Sequence, residues 1–201
     1  MPDLTVLEWI ENILFFTALY VLLWNAYFLT INKGIPNIRT APAVRKKMAE
    51  LISQDMAFKN KKDYTIIDMG AGNGDLTRYL ARTLPDARVI GIEIDKVAYW
   101  KCRIYKKLGR YKNLEYWNKN FHAVDLSQAD AVTMFLLGTL MTSIRDTLER
   151  ELKSGTLVIS NKFAIGGNWQ PKTVLDIQTL YLHQKSLYVY VVNKGNMTNE
   201  S

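Results

Sequence analysis

Residues 66–80 read IIDMGAGNGDLTRYL, a β-branched run that breaks into three glycines and then into an apolar pattern of helical period. A strand that turns at once into a helix through glycines constrains the fold more than any other stretch. It is the opening unit of a doubly wound sheet, whose ligand lies beyond the carboxyl ends of the strands. Gly70, Gly72 and Gly74 let the backbone approach a ligand closely. A dinucleotide fingerprint would require glycine at position 75, which is Asp75, and there is no Gly-Lys-Ser/Thr for a P-loop. The loop is distinguished instead by Asp68, two residues before the first glycine, an acid that would repel a pyrophosphate and attract a cationic amine or sulfonium. Glu93 closes the next strand in VIGIEID, 23 residues after Gly70, where an acid can accept hydrogen bonds from both ribose hydroxyls. Asp95 is the neighbouring alternative, because strand alternation points both acids the same way.

Strand and helix patterns alternate along the rest of the chain. Strands are predicted at 64–69, 88–92, 114–117, 130–137 and 156–163, with two closing strands near 177–183 and 186–192. Helices are predicted at 75–84, 96–108 and 139–153, and Val44, Met48, Leu51 and Ile52 recur at helical spacing before the first strand. Alternation of this kind builds a parallel sheet covered on both faces, and the last two strands, joined by a couple of residues, must pair antiparallel. The expected fold is α/β: a Rossmann-like doubly wound seven-strand sheet with an antiparallel C-terminal strand pair, preceded by one transmembrane helix. The corresponding divisions are an anchor over 1–32, a linker and cofactor-capping helix over 33–63, the main domain over 64–195 and a tail over 196–201.

The anchor rests on residues 12–32, NILFFTALYVLLWNAYFLTIN, which carry no charge. As a helix they would rise about 31 Å against a hydrocarbon core of about 30 Å, with apolar and aromatic residues on every face. A cleaved signal peptide is disfavoured, because no basic region precedes the run and no small-residue cleavage site follows it. Residues 1–32 carry three acids and no Lys or Arg, whereas residues 33–62 carry eight basic and two acidic residues. The basic excess after the span, including Lys33, Arg39, Arg45, Lys46 and Lys47, places the main domain on the cytoplasmic side or its organellar equivalent, against anionic headgroups. Sequons at Asn196 and Asn199 would go unused there. The single Cys102 excludes a disulfide framework, and His122 and His183 are too far apart for zinc-ligand spacing, so no metal is expected.

Asp68, the glycine loop and Glu93 together resemble the seven-strand class of S-adenosylmethionine-dependent methyltransferases over roughly residues 40–192. The resemblance implies S-adenosyl-L-methionine as cofactor. Asp68, Gly70, Ala71, Gly72 and Gly74 would surround its methionine portion, Glu93 and Ile94 its ribose side, and Asn120 and Phe121 its adenine; Asn120 stands where Asp is common in the family. Three further stretches, GIPNIRTAPAVRKKM, AVTMFLLGTLM and LERELKSGTLVISNKFAIGGNWQP, together with the apolar N-terminal segment, look like the small membrane-anchored protein-lysine methyltransferases. These act on the mitochondrial adenine nucleotide carrier and the ATP synthase c-subunit, and have prokaryotic relatives. That likeness implies that Thr40, in the Pro36–Pro42 loop, closes over the cofactor, that the acceptor is a lysine of a membrane protein, and that a eukaryotic member would sit in the mitochondrial inner membrane.

The acceptor is narrowed by exclusion. Adenine amino-methylation calls for an Asp/Asn-Pro-Pro-aromatic loop after the fourth strand, where this chain has Phe135-Leu-Leu-Gly-Thr. Pyrimidine C5 chemistry needs a loop cysteine, and Cys102 falls mid-helix. The basic run from Lys96 to Lys112, interleaved with Tyr99, Trp100 and Tyr105, reads as a solvated or membrane-facing helix before it reads as a nucleic-acid surface. Both histidines read as structural or surface residues. Lysine suits a site without an evident base: Phe135, Leu137, Phe163 and Trp169 are candidates to line an apolar acceptor channel, with ordinary core packing as their alternative, and no catalytic acid or base is assigned. The competing functions are methylation of a lipid or small amphiphile, and a non-catalytic cofactor-binding scaffold at a membrane.

Overall fold

The computed structural model describes residues 5–30, 38–180 and 185–194. Lys33, Pro36, His183, Asn196 and Asn199 lie outside the described residues. The chain divides into two units, Met1–Asn37 and Ile38–Ser201.

The first unit contains helix α1, Val6–Thr30. It starts six residues before the uncharged run, because Thr5 and Glu8 form a reciprocal cap: the Thr5 N–H donates to the Glu8 carboxylate at 2.7 Å, and the Glu8 N–H to the Thr5 hydroxyl at 3.4 Å. Within α1, Asn12, Thr17 and Asn25 donate to the carbonyls of Glu8, Ile13 and Val21, one turn back. Polar side chains satisfied in this way make no demand on surrounding solvent. Val6–Tyr27 is long and apolar enough to cross a membrane.

The second unit opens with α2, Pro42–Lys59, which begins on a proline and buries Val44, Met48 and Ile52, the residues whose spacing predicted it. A seven-stranded sheet follows in the order β3-β2-β1-β4-β5-β7-β6. Its strands are β1 Thr65–Met69, β2 Arg88–Ile92, β3 Leu114–Trp117, β4 Ala131–Met134, β5 Leu157–Asn161, β6 Thr173–Asp176 and β7 Ser186–Val191. The first five are parallel, and β7 runs antiparallel between β5 and β6. Helices α3 Asp75–Thr83, α4 Lys96–Leu108 and α5 Gly138–Glu151 connect the parallel strands.

Alternation along the strands divides the core in two. Ile66, Val89 and Ile159 face a layer with α2, α3 and Cys102 of α4, while Ile67, Ile90 and Val158 face a layer with Met141, Ile144 and Leu148 of α5. Strand order reverses between β1 and β4, which opens the crevice where a doubly wound sheet takes its ligand.

Three predicted strands differ from the structure by more than a single residue at one end. β4 ends at Met134 rather than 137, because Phe135–Leu137 turn away and Leu137 caps α5. β5 ends at Asn161 rather than 163, where Lys162 adopts a positive φ of 74° that no strand sustains. β6 occupies 173–176 rather than 177–183. The chain offers two apolar segments there, and the earlier one pairs with β7 in the register Asp176↔Ser186. The antiparallel pairing stands, with a longer connection than expected.

Gly74 is the tightest point of the first crossover. At φ 73° it caps α3, and a Cβ there would meet the Tyr116 hydroxyl, the Cys102 Sγ at 2.9 Å and the Arg78 guanidinium at 3.0 Å. Gly74→Ala is expected to cost roughly 2 to 4 kcal/mol, from left-handed strain plus overpacking. Urea denaturation measures it, and a midpoint equal to wild type would show that the loop relaxes around the methyl group.

Candidate active site

β1 and β2 end side by side, Met69 opposite Ile92, and the glycine loop grows directly from that pairing. The N–H groups of Gly70 and Ala71 both donate to the Ile92 carbonyl, at 3.0 and 2.9 Å, and Gly74 N–H closes the turn on Ala71 at 2.8 Å. Gly70 needs its missing side chain for a second reason: Leu136, from the loop after β4, fills that space, with its Cδ2 only 2.7 Å from where a Cβ would stand.

Glu93 fastens this loop to the next. One carboxylate oxygen accepts the Gly72 N–H at 2.7 Å and the other the Asp95 N–H at 2.8 Å. The two acids that alternation left undecided thus have different work. Asp95 caps α4, accepting from Ala98 N–H at 2.7 Å, while the Glu93 carboxylate lies between the β1 and β2 loops. Burial pushes the Glu93 carboxyl above its ordinary value, the Asp95 charge adds to the shift, and the backbone N–H groups of Asp95, Gly72 and Ile94 pull it back.

Asp68 lies under the loop, fully buried on the α3 side of β1. Thr77 of α3 donates to one oxygen at 2.6 Å and Thr133 of β4 to the other at 3.0 Å. Burial pushes its carboxyl up to about 6; the two hydroxyls oppose the shift, and the Glu93 charge adds to it. The acid two residues before the first glycine therefore acts as a floor charge already held by two hydroxyls, and its reach toward a cation is electrostatic. The third acid, Asp75, is paired with Arg78 at 3.1 Å and with Arg39 at 3.0 Å. The Arg39 pair brings the segment before α2, with buried Thr40, to the start of α3.

Asn118, which the sequence reading passed over, closes the far side by donating to the carbonyls of Glu93 at 2.8 Å and Ile94 at 3.0 Å. Ile94 is left exposed beside Glu93. Asn120 caps the 3-10 turn Phe121–Ala123 through the His122 N–H at 3.1 Å, and half-buried Phe121 packs against the α5-side core. His122 holds that turn to α5, its ring nitrogens 2.8 Å from the hydroxyls of Thr147 and Ser143, which matches the structural role expected of it. Tyr116, also unremarked in sequence, lies over Gly91, where a Cβ would come within 2.7 Å of its ring.

The acceptor-channel candidates separate. Phe135 and Leu137 flank Leu136 at Gly70, and the Phe163 ring lies 3.3 Å from a Cβ built on Gly138, at the start of α5. Trp169 packs elsewhere: it is buried, edge-to-face on Tyr190 at 5.6 Å, with its indole N–H donated to Glu149 at 2.9 Å. Cys102 is a core residue, its thiol 3.2 Å from the Gly72 carbonyl and pushed up to about 12 by burial. It is no nucleophile.

The arrangement offers a glycine-rich backbone loop, two carboxylates at or beneath it, and an exposed aliphatic residue at its rim. That combination suits a ligand with a cationic centre, vicinal hydroxyls and a flat apolar base. The comparisons with known proteins agree. The family model for the ANTKMT methyltransferase domain matches residues 68–173. A protein-lysine N-methyltransferase of Saccharolobus islandicus is 30% identical over 161 residues, 80% of this chain and 95% of that protein. A crystal structure of an RNA methyltransferase from Salinibacter ruber in complex with S-adenosyl-L-homocysteine superposes with a TM-score of 0.66 at 29% identity, covering 78% of this chain and 95% of that one. A variant of MtNAS in complex with S-adenosylmethionine shares the fold at 12% identity, with a TM-score of 0.58 over 72% of this chain and 61% of that one.

Two outcomes test the site. Glu93→Ala removes both the carboxylate expected to accept from the ribose and the tie between the loops, and is expected to weaken S-adenosylmethionine binding at least tenfold by calorimetry; an unchanged affinity would show the assignment wrong. Asp68 gives a pH signature. The folded state holds its proton more tightly than the unfolded chain, so this carboxyl costs stability as pH rises from the ordinary Asp range through about 6, and the cost is complete above that. Asp68→Asn should therefore gain on wild type by on the order of 2 kcal/mol at pH 8 and lose that advantage progressively as pH falls from about 6 to about 4. Denaturation curves at the two pH values decide it, and an advantage that grows toward acid would reverse the sign.

Proposed function

The chain belongs to the ANTKMT methyltransferase domain family, and from that premise we propose that this S-adenosylmethionine-dependent methyltransferase acts on the side-chain amine of a lysine in a membrane protein. The observation that carries the choice of lysine is the 30% identity to a protein-lysine N-methyltransferase along 95% of that protein's length. A membrane substrate is supported by α1, whose composition, length and internally satisfied polar residues suit a bilayer span. The basic excess after it orients the domain to the cytoplasmic side, or within the inner membrane of a mitochondrion if the source is eukaryotic.

S-adenosylmethionine, when bound, supplies an electrophilic methyl group on a sulfonium. Glu93, with Ile94 beside it, would hold its ribose, the Gly70–Gly74 loop with Ala71 its methionine portion, and Asn120 and Phe121 its adenine. Asp68 balances the positive charge from below, and Thr40 closes the site from the α2 side.

Phe135, Leu137 and Phe163 supply an apolar mouth, and no residue need act as a base. A free lysine has a pKa near 10.4, so about one in 2,500 is neutral at pH 7, a cost of about 4.6 kcal/mol. An apolar channel that receives the ammonium next to a sulfonium lowers that cost through desolvation and like-charge repulsion. The proton leaves to water, and what remains for the protein is alignment of nitrogen, methyl and sulfur.

Mass spectrometry of membrane proteins from cells with and without the gene is expected to show a lysine whose methylation disappears and returns on complementation. Label from methyl-tritiated cofactor that enters only the lipid fraction, or only RNA, would overturn the choice of acceptor. Label that enters nothing would favour the non-catalytic scaffold.

A further inference from the structure

Helix α4 has two apolar faces. Its inner face buries Ala98 and Cys102 against the sheet. Its outer face carries Val97, Trp100, Ile104 and Leu108, at spacings of three, four and four residues, and all are between 40% and 73% exposed. At 100° per residue these four fall within about 80° of the helix circumference, opposite the buried face. Lys101 borders the stripe on one side, and Lys96, Arg103 and Lys107 border it on the other; all four are exposed.

A solvated helix has no need of an outward apolar stripe, and contiguous exposed apolar surface marks a contact. The flanking bases fix the charge of that contact as negative. RNA would need open aromatic faces on which bases stack. Here Tyr99 is half-buried against the core, the Trp100 ring lies under the Arg103 guanidinium at 5.1 Å, and the Tyr105 ring under Arg78 at 4.6 Å. The exposed stripe is aliphatic apart from Trp100, whose ring Arg103 partly covers, and basic residues stand on both flanks. That is the pattern of a helix lying in a bilayer interface, its apolar face in the acyl boundary and its bases at anionic headgroups.

We propose that α4 is an interfacial helix that seats the catalytic domain on an anionic lipid surface through Val97, Trp100, Ile104 and Leu108, with Lys96, Lys101, Arg103 and Lys107 at the headgroups. Asp95 caps α4 two residues after Glu93, and exposed Ile94 lies between them, so the seated helix holds the mouth of the cofactor loop near the interface. This contact does not depend on which group accepts the methyl.

An environment-sensitive dye on Ile104→Cys in the full-length chain tests it, with the same dye on Asp146→Cys, exposed on α5 across the sheet, as reference. Native Cys102 is buried and its thiol is held neutral, so it does not compete for the label. Vesicles of phosphatidylcholine with phosphatidylglycerol are expected to blue-shift the Ile104 dye and raise its emission severalfold. Pure phosphatidylcholine should have far less effect, and the reference dye should not respond. Lys101→Glu with Arg103→Glu and Lys107→Glu should abolish the shift while the circular dichroism stays that of wild type. Water-like emission at Ile104 in both vesicles, or equal shifts at both positions, overturns the proposal. So does protection of the Ile104 dye by a single-stranded oligoribonucleotide in place of vesicles, which would make the surface an RNA contact.

Discussion

The site is organised around the Glu93 carboxylate, which ties the tip of the β1–α3 loop at Gly72 to Asp95 at the start of α4, beyond the Ile92 carbonyl that already holds Gly70 and Ala71. The β1–α3 loop is glycine-rich and strained into positive φ at Gly70, Gly72 and Gly74; the β2–α4 loop contributes Asp95 and the start of an amphipathic helix. A carboxylate accepting one backbone N–H from each converts them into a single rigid rim. It also keeps acceptor capacity for a ligand, since two oxygens offer about four acceptor sites and the backbone N–H groups of Asp95, Gly72 and Ile94 do not fill them all. The same residue that would recognise the ribose thus builds the wall against which the ribose would lie.

Beneath that rim the electrostatics run against stability. Asp68 is buried with a second carboxylate nearby, and its proton affinity is raised accordingly. A fold free to optimise stability would place an amide or an alcohol there. Thr77 and Thr133 reduce the cost without removing the charge. A buried anion maintained in this way supplies a fixed field toward a cation above the loop, in a medium where Coulomb interactions are screened less than in water.

Much of this was legible in the sequence where one residue type has one physical use. The glycines, the acid before them and the acid ending the next strand each specify a local geometry, and the strand–helix alternation leaves few topologies open. The β2, β3 and α4 boundaries follow directly from pattern. Legibility failed where tertiary contacts decide. Glu93 and Asp95 are equivalent by alternation, and only the cap on α4 separates them. Trp169 reads equally as channel or core until Tyr190 and Glu149 are seen around it. β6 was displaced because two neighbouring apolar segments compete for β7 and register, a long-range property, selects the first. Asn118 and Thr133 gave no signal, since a single amide or hydroxyl in sequence does not disclose which carbonyl or carboxylate it will meet.

The outward face of α4 changes what the apolar N-terminal helix has to do. The span proposed for α1 would confine the enzyme to a membrane and so raise its effective concentration toward substrates there. The contact proposed for α4, a helix that begins three residues after Glu93, would hold the mouth of the loop along the interface. Effective concentration then acts on a site already turned toward its acceptor. This matters most for a catalyst whose residues supply alignment rather than a base. Under the proposed mechanism, in which no side chain acts as a base, the advantage comes from the fraction of encounters in which amine, methyl and sulfur are collinear, and seating the domain on a membrane would raise that fraction before any side chain touches the substrate.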